Sequence, residues 1–244
     1  MRKPHGSPLC WQSGLSVAIA LQAALSAGCS DDPVPLPIEH LVAFSAGLDF
    51  EQGTPPEAMQ VDLLVTVARQ TTGCAGECVA ERVHDAIVRA GAGEDRVALD
   101  YDALTGDYHG VSLGYAPRYV VEVDVAGQQR IERETQSPSL FSFELDPEPL
   151  VAGAEATIVW APSSEDGITA VALVSTTLGA TYITPAAGDY PDDGREDLPA
   201  SALPEAGAYE VKIQRRRAEG ERTFFGSVTI IAGETVIVGP GNAR

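Results

Sequence analysis

The sequence predicts an all-β protein built as two sandwich modules, and three observations carry that prediction. Apolar and polar residues alternate through several short stretches, the period-two signature of a strand with one buried face. Val61, Leu63, Val65 and Val67 form one such series, and Tyr119, Val121, Val123 and Val125 form another. Turn-forming clusters separate these stretches, at Glu51–Pro56, Gly91–Asp95 and Thr105–Asp107. A weak internal repeat also sets Ala116–Val123 parallel to Ala206–Ile213, with tyrosines at 119 and 209, 90 positions apart. That spacing suits one sandwich unit of about 100 residues.

In chain order, the first stretch is for export. Arg2 and Lys3 supply a positive start, and Leu15 to Ala27 is apolar or small apart from Ser16, Gln22 and Ser26. Small residues then precede Cys29, completing the three parts of an export signal. A membrane span would need about 20 apolar residues; this run is shorter and contains Gln22. Leu25-Ser26-Ala27-Gly28-Cys29 resembles the lipobox of bacterial lipoproteins. The resemblance implies cleavage after residue 28, acylation of Cys29, and a lipid anchor in the bacterial cell envelope. Two or more acyl chains hold stably where one binds marginally, at about 0.8 kcal/mol per buried methylene. Ser30, next to the cysteine, fits transfer to the outer membrane. Residues 29–37 then form a tether, because Pro33, Pro35 and Pro37 favour an extended backbone without hydrogen bonds. A first strand hugging a sheet edge is the alternative for this stretch.

The formal net charge is −19, and loss of residues 1–28, which hold Arg2 and Lys3 and no acid, makes it −21. Such a surface disfavours nucleic acid and bare anionic lipid as partners. Cys10 leaves with the signal and Cys29 takes lipid, so Cys74 and Cys78 remain, and in an oxidising compartment they most simply pair. The loop is very small, with Ala75 and Gly76 inside it. Half of a metal site would lack a second Cys or His pair, and a redox centre favours a two-residue gap.

The first module is placed at 38–137. Its strands are the two series above and Val97–Tyr101, while Cys78–Ala90 fits either period: Val79, Val83, Ile87 and Ala90 suit a helix, and Ala86-Ile87-Val88 suits a strand. Gln128–Ser137 is polar and leads into Pro138, which marks the boundary. The second module, 138–239, opens with alternating Phe141, Phe143 and Leu145, and residues 240–244 form a tail. Ala156–Pro162, the Ser163–Gly167 loop and the Val171–Val174 strand resemble strands B and C of a fibronectin type III module, with Trp160 as its buried tryptophan. Pro204–Ile213 is similar to the corner and F strand of that module, with Tyr209 as the corner tyrosine. Turns between Ser175 and Pro199 depart from the pattern, so a broader immunoglobulin-like sandwich is an equally apt description. The resemblance implies a fold and no function.

No set of residues converges on catalysis, metal binding or a cofactor. Gly110-Val111-Ser112-Leu113-Gly114 has the serine-hydrolase form, but that motif works on a strand-to-helix turn, and here a β-alternating run follows. The last histidine is His109; with His40 and His84 it forms no metal-ligand spacing. Asp189–Gly194 starts like a calcium loop, yet Pro191 takes the third ligand position and Ala200 the twelfth; an acidic turn through Gly194 accounts for it better. Lys212, Arg215, Arg216 and Arg217 make the only basic cluster after residue 28, read either as charges guarding a strand edge or as a docking patch for phosphate groups or an acidic partner. The expected function is a membrane-anchored, non-enzymatic lipoprotein that binds an envelope protein or glycan, or acts as a spacer. The alternative is an enzyme or enzyme accessory using an acidic cleft, with Asp100 and Asp102 on one strand face.

Overall fold

The structure, a computed structural model, describes residues 40–70, 80–163, 167–184, 190–221 and 223–241. The export signal, the tether, Cys29 and the Cys74–Cys78 pair lie outside the described residues. Alternation of side chains folds the first part into β1 (His40–Glu51), β2 (Gln60–Gln70), β3 (Ala80–Arg82), β4 (Ile87–Ala92), β5 (Asp95–Ala98), β6 (Asp100–Asp102), β7 (Asp107–Leu113), β8 (Arg118–Asp124) and β9 (Ile131–Gln136). The rest forms β10 (Phe143–Asp146), β11 (Ala156–Trp160), β12 (Gly167–Ser175), β13 (Gly179–Ile183), β14 (Tyr190–Pro191), β15 (Arg195–Leu198), β16 (Gly207–Glu221) and β17 (Phe224–Val238). The only helical pieces among the described residues are short 3-10 turns at Pro56–Ala58 and Ala200–Ala202, so the chain is all-β as expected.

The ambiguous stretch Cys78–Ala90 carries, in its described part, strand β3 and the start of strand β4 joined by a bend at Asp85, and no helix. Val88 and Ala90 point inward at 1 % and 0 % exposure while Ile87 is 55 % exposed, a period of two that a helix could not produce. The turn-rich stretch after Ser175 also carries strands, β13, β14 and β15.

The strands form three sheets. Ten of them make one sheet ordered β13-β12-β16-β17-β1-β2-β7-β6, with β14 added on β12 and β3 on β2. The smaller sheets are β10-β11-β15 and β5-β4-β8-β9. The large sheet draws strands from both sides of the polar stretch around residue 137, because β1 pairs in parallel with β17 from Val42 opposite Phe224 to Glu51 opposite Gly233. Among the described residues all other pairings between these strands are antiparallel, and one isolated parallel bridge joins Val151 to Gly239.

Register fixes which face is buried. Phe44, Ala46 and Leu48 of β1 lie in the same rows as Gly226, Val228 and Ile230 of β17, and all except the glycine belong to one hydrophobic cluster. Both smaller sheets cover this face. The Phe44 ring lies 6.4 Å from that of Tyr119 on β8. The Gln52 side chain, just after β1, clips β10 by accepting from the Phe143 N–H at 2.8 Å and donating to its carbonyl at 3.2 Å. Strand β9 packs so closely on β17 that a Cβ at Gly226 would sit 1.9 Å from Thr135 Oγ1.

The repeated tyrosines play the same part at each end of the chain. Tyr119 accepts from the Ala116 N–H at 3.2 Å and donates to the Gly114 carbonyl at 3.4 Å. Tyr209 donates to the Glu205 carbonyl at 3.0 Å and accepts from its N–H at 3.4 Å. Both are fully buried, so each hydroxyl needs these partners to avoid an orphaned polar group. Burial pushes the Tyr119 hydroxyl up to about 12, with Tyr115 adding to the shift against the Ala116 hydrogen bond.

Candidate functional site

With both smaller sheets on one face of the large sheet, its other face is left uncovered by them. The pairings place Arg216, Thr229, Gly47, Asp62 and Val111 in one row across that face, over five adjacent strands. The next row runs Ala218, Ser227, Ser45, Leu64, His109 and Asp100. The middle of each row, on β17 and β1, carries small residues; larger side chains flank both sides of the first row, at Arg216 and Asp62, and the β2 side of the second, at Leu64. The result is a concavity of about 750 Å³, within the range of ligand-binding sites. Ala170, Ala172 and Ser45 line it and are themselves buried, so the floor is smooth backbone and short side chains.

Three aspartates and one lysine line the site: Asp49, Asp62, Asp100 and Lys212. Lys212 Nζ is held at 2.9 Å from Asp49 and 3.2 Å from Glu210. Burial draws its ammonium down, but the hydrogen bonds and charges of Asp49 and Glu210 outweigh burial and hold it above the ordinary lysine range. Asp62 accepts from Gln60 Nε2 at 3.1 Å. Among the described residues neither Asp62 nor Asp100 has a cationic partner. The site thus offers two carboxylates without a cationic partner among the described residues, beside a lysine that is already neutralised.

The other residues singled out by the sequence are scattered. Asp100 lines the concavity, but Asp102 accepts the Leu104 N–H at 2.8 Å and closes the β6–β7 turn. Ser112 lies inside β7, opposite Val61 of β2, and the chain then turns at Gly114 into β8 rather than into a helix. His40 is buried on β1, His84 stands 6.3 Å from the Tyr101 ring, and His109 Nε2 meets Thr105 Oγ1 at 3.2 Å. Among the described residues no group of three His, Cys, Asp or Glu is placed to hold a metal ion.

The basic cluster is divided by strand geometry. Strand β16 lies between β12 and β17 as far as Arg216, so Lys212, Arg215 and Arg216 guard no sheet edge. Side chains alternate along it: Lys212 and Arg216 stand in the row of the concave face, whereas Arg215 continues the inward row of Tyr209, Val211 and Ile213. Arg217 is half-buried near the end of the strand. Arg215 is 1 % exposed, which removes it from any docking patch. Its guanidinium donates to the Ser139 carbonyl at 3.1 Å and the Ala161 carbonyl at 2.7 Å, and lies 4.1 Å above the Phe141 ring. It also pairs with Asp192 at 2.7 Å. The fully enclosed Asp192 carboxylate accepts in addition from Trp160 Nε1 at 2.5 Å and the Ser163 N–H at 2.8 Å. Asp192 is therefore a buried counter-ion rather than part of a solvated acidic turn. The turn itself passes through Gly194 at φ +79°, where a Cβ would come within 2.7 Å of the Trp160 carbonyl.

A second charged cluster comes from arginines far apart in the sequence. Arg89 and Arg96 reach the buried Glu122 at 3.0 and 2.9 Å, and Arg130 joins them on the same carboxylate. Glu132 takes Arg96 and Arg130 as well. Its carboxyl is held below the ordinary range by the Arg96 hydrogen bond and charge, with Arg130 adding to them. The acids balance most of the positive charge, so this outer face of the four-stranded sheet is a closed ion-pair network.

Compared with known proteins, the chain matches no family model and no curated protein sequence.

Proposed function

We propose that this protein is a lipoprotein of the bacterial envelope, anchored through Cys29, whose concave face binds a partner. In this reading two immunoglobulin-like sandwiches are fused edge to edge. The order β6-β7-β2-β1 faces β5-β4-β8-β9 in one, and β10-β11-β15 faces β13-β12-β16-β17 in the other. These orders resemble the DEBA and C′CFG sheets of that architecture. The parallel β1–β17 pairing makes the junction a continuous hydrogen-bonded sheet, which supports a rigid unit rather than two beads on a string. One observation carries the binding reading: the concavity spans strands from both halves, from Ala172 on β12 to Asp100 on β6. Neither half alone would form it.

The test is photo-crosslinking in native cells with a reactive residue at position 47, on the concave floor, or at the exposed position 144 on the far side, each with and without Cys29→Ala. A single adduct from position 47 that disappears with Cys29→Ala is expected. Equal products from both positions, or none from position 47, would leave a spacer as the better description. Protein from native membranes should have the mass of residues 29–244 plus acyl chains; the mass of the unprocessed chain would refute the anchor.

A further inference from the structure

We propose that the concave face takes an extended, cationic polypeptide segment, with Lys or Arg side chains of the segment meeting Asp62 and Asp100; this rests on the binding role proposed above. The shape comes first. The lining residues run from β12 across β16, β17, β1, β2 and β7 to β6, which at about 4.8 Å per strand is a course of roughly 30 Å. A compact ligand would occupy only one end of it, whereas an extended chain covers it with about nine residues.

Charge then selects the chemistry. Lys212 is compensated by Asp49 and Glu210, and Arg216 stands three strands from Asp62 in its row and outside the lining. Among the described residues the lining groups left without an opposite charge are therefore Asp62 and Asp100, in a protein of net charge −19. Like charge opposes a second copy of this chain on the same face. None of the lining residues is Trp, Tyr or Phe, so sugar rings would find no aromatic surface to stack on. The small floor leaves room for backbone to lie close, and its apolar neighbours Leu64, Val111 and Ile231 can take the methylene stems of basic side chains.

The experiment uses the full chain and a fluorescent alternating Lys-Ser decapeptide, with Asn-Ser and Glu-Ser peptides of the same length as controls. Gly47→Leu fills the floor from a position where an added Cβ meets no heavy atom within 4 Å, and an unchanged urea-unfolding midpoint is required before its binding is read. Asp62→Asn with Asp100→Asn removes the two carboxylates. Glu144→Gln with Glu155→Gln removes equal charge from exposed positions outside the concavity. Saturable binding of the Lys-Ser peptide is expected. It should be about tenfold weaker in the Asp62/Asp100 double variant, lost in Gly47→Leu, and within about twofold of the parent in the Glu144/Glu155 variant.

Equal weakening by both double variants would mean bulk charge attraction and overturn the inference. So would full binding by Gly47→Leu, equal binding of the Asn-Ser peptide, or self-association that Gly47→Leu abolishes. If the Lys-Ser peptide fails while position 47 still crosslinks a partner in cells, the cationic ligand is refuted and the binding role survives. If position 47 captures nothing either, both fall.

Discussion

Replacing Arg215 by Met should be among the most damaging single changes in the molecule. The guanidinium links Asp192, the Ser139 and Ala161 carbonyls and the Phe141 ring, and so ties the stretch before β10 and the end of β11 to the middle of β16. Met fills similar space but leaves the enclosed Asp192 carboxylate with only its Trp160 and Ser163 donors, and leaves two carbonyls without their arginine donor. Removing one partner of a buried ion pair costs about 3–5 kcal/mol, a large part of a typical stability of about 5–15 kcal/mol. The penalty comes mainly from the orphaned charge, so adding Asp192→Asn to Arg215→Met should recover about 2 kcal/mol or more. Arg215→Lys should fall between parent and Met, since one ammonium cannot reproduce a planar fork aimed at three acceptors. Urea unfolding followed by Trp160 fluorescence reads all of these. A loss below about 1 kcal/mol for Arg215→Met, or a double variant no more stable than the single, would refute the argument from an orphaned charge.

Two further outcomes follow from packing and titration. Gly226→Ala should cost about 1–3 kcal/mol by overpacking, since its Cβ would meet Thr135 Oγ1 at 1.9 Å and Cγ2 at 2.9 Å. Thr135→Ala should restore most of that loss, because it deletes both clashing atoms and a hydroxyl that has no hydrogen-bond partner among the described residues; simple additivity in urea unfolding would refute the contact. His40 has its folded pKa lowered from 6.5, first by burial and then by Arg69, against a smaller opposing pull from Asp85. Its neutral form is thus the one the fold prefers, and the unfolded chain takes the proton first as pH falls. The contribution is whole above the unfolded pKa and is lost as pH drops from there toward the folded pKa. Thermal midpoints of the parent should therefore fall more steeply than those of His40→Gln as the pH drops below about 6.5, and superimposable pH profiles would refute this assignment.

Much of the local structure was legible from residue order. Alternation marked β2 and β8, and the paired tyrosines at 119 and 209 marked two equivalent corners, because the period of two and a buried hydroxyl's need for partners are local properties. The inward aim of Arg215 was legible too, since it continues the alternation of Tyr209, Val211 and Ile213, but a run of basic residues hides that phase when read as a block. The identity of its partner was not, because nothing near Arg215 in the chain specifies Asp192. Nor does the spacing of Arg89, Arg96 and Arg130 announce that all three meet Glu122.

The sequence by itself determined that this chain forms strands, where several of them lie, and that its surface is acidic; the tertiary structure alone revealed β1 at the centre of the large sheet and decided which strands are neighbours. The parallel pairing of β1 with β17 joins residues about 180 positions apart, and that one pairing puts Gly47 beside Thr229 and Asp62 on the same face as Lys212. Backbone hydrogen bonding between strands is nearly indifferent to side-chain identity. Which distant strands pair is therefore set by the burial of whole faces, which alternation in a single strand cannot specify.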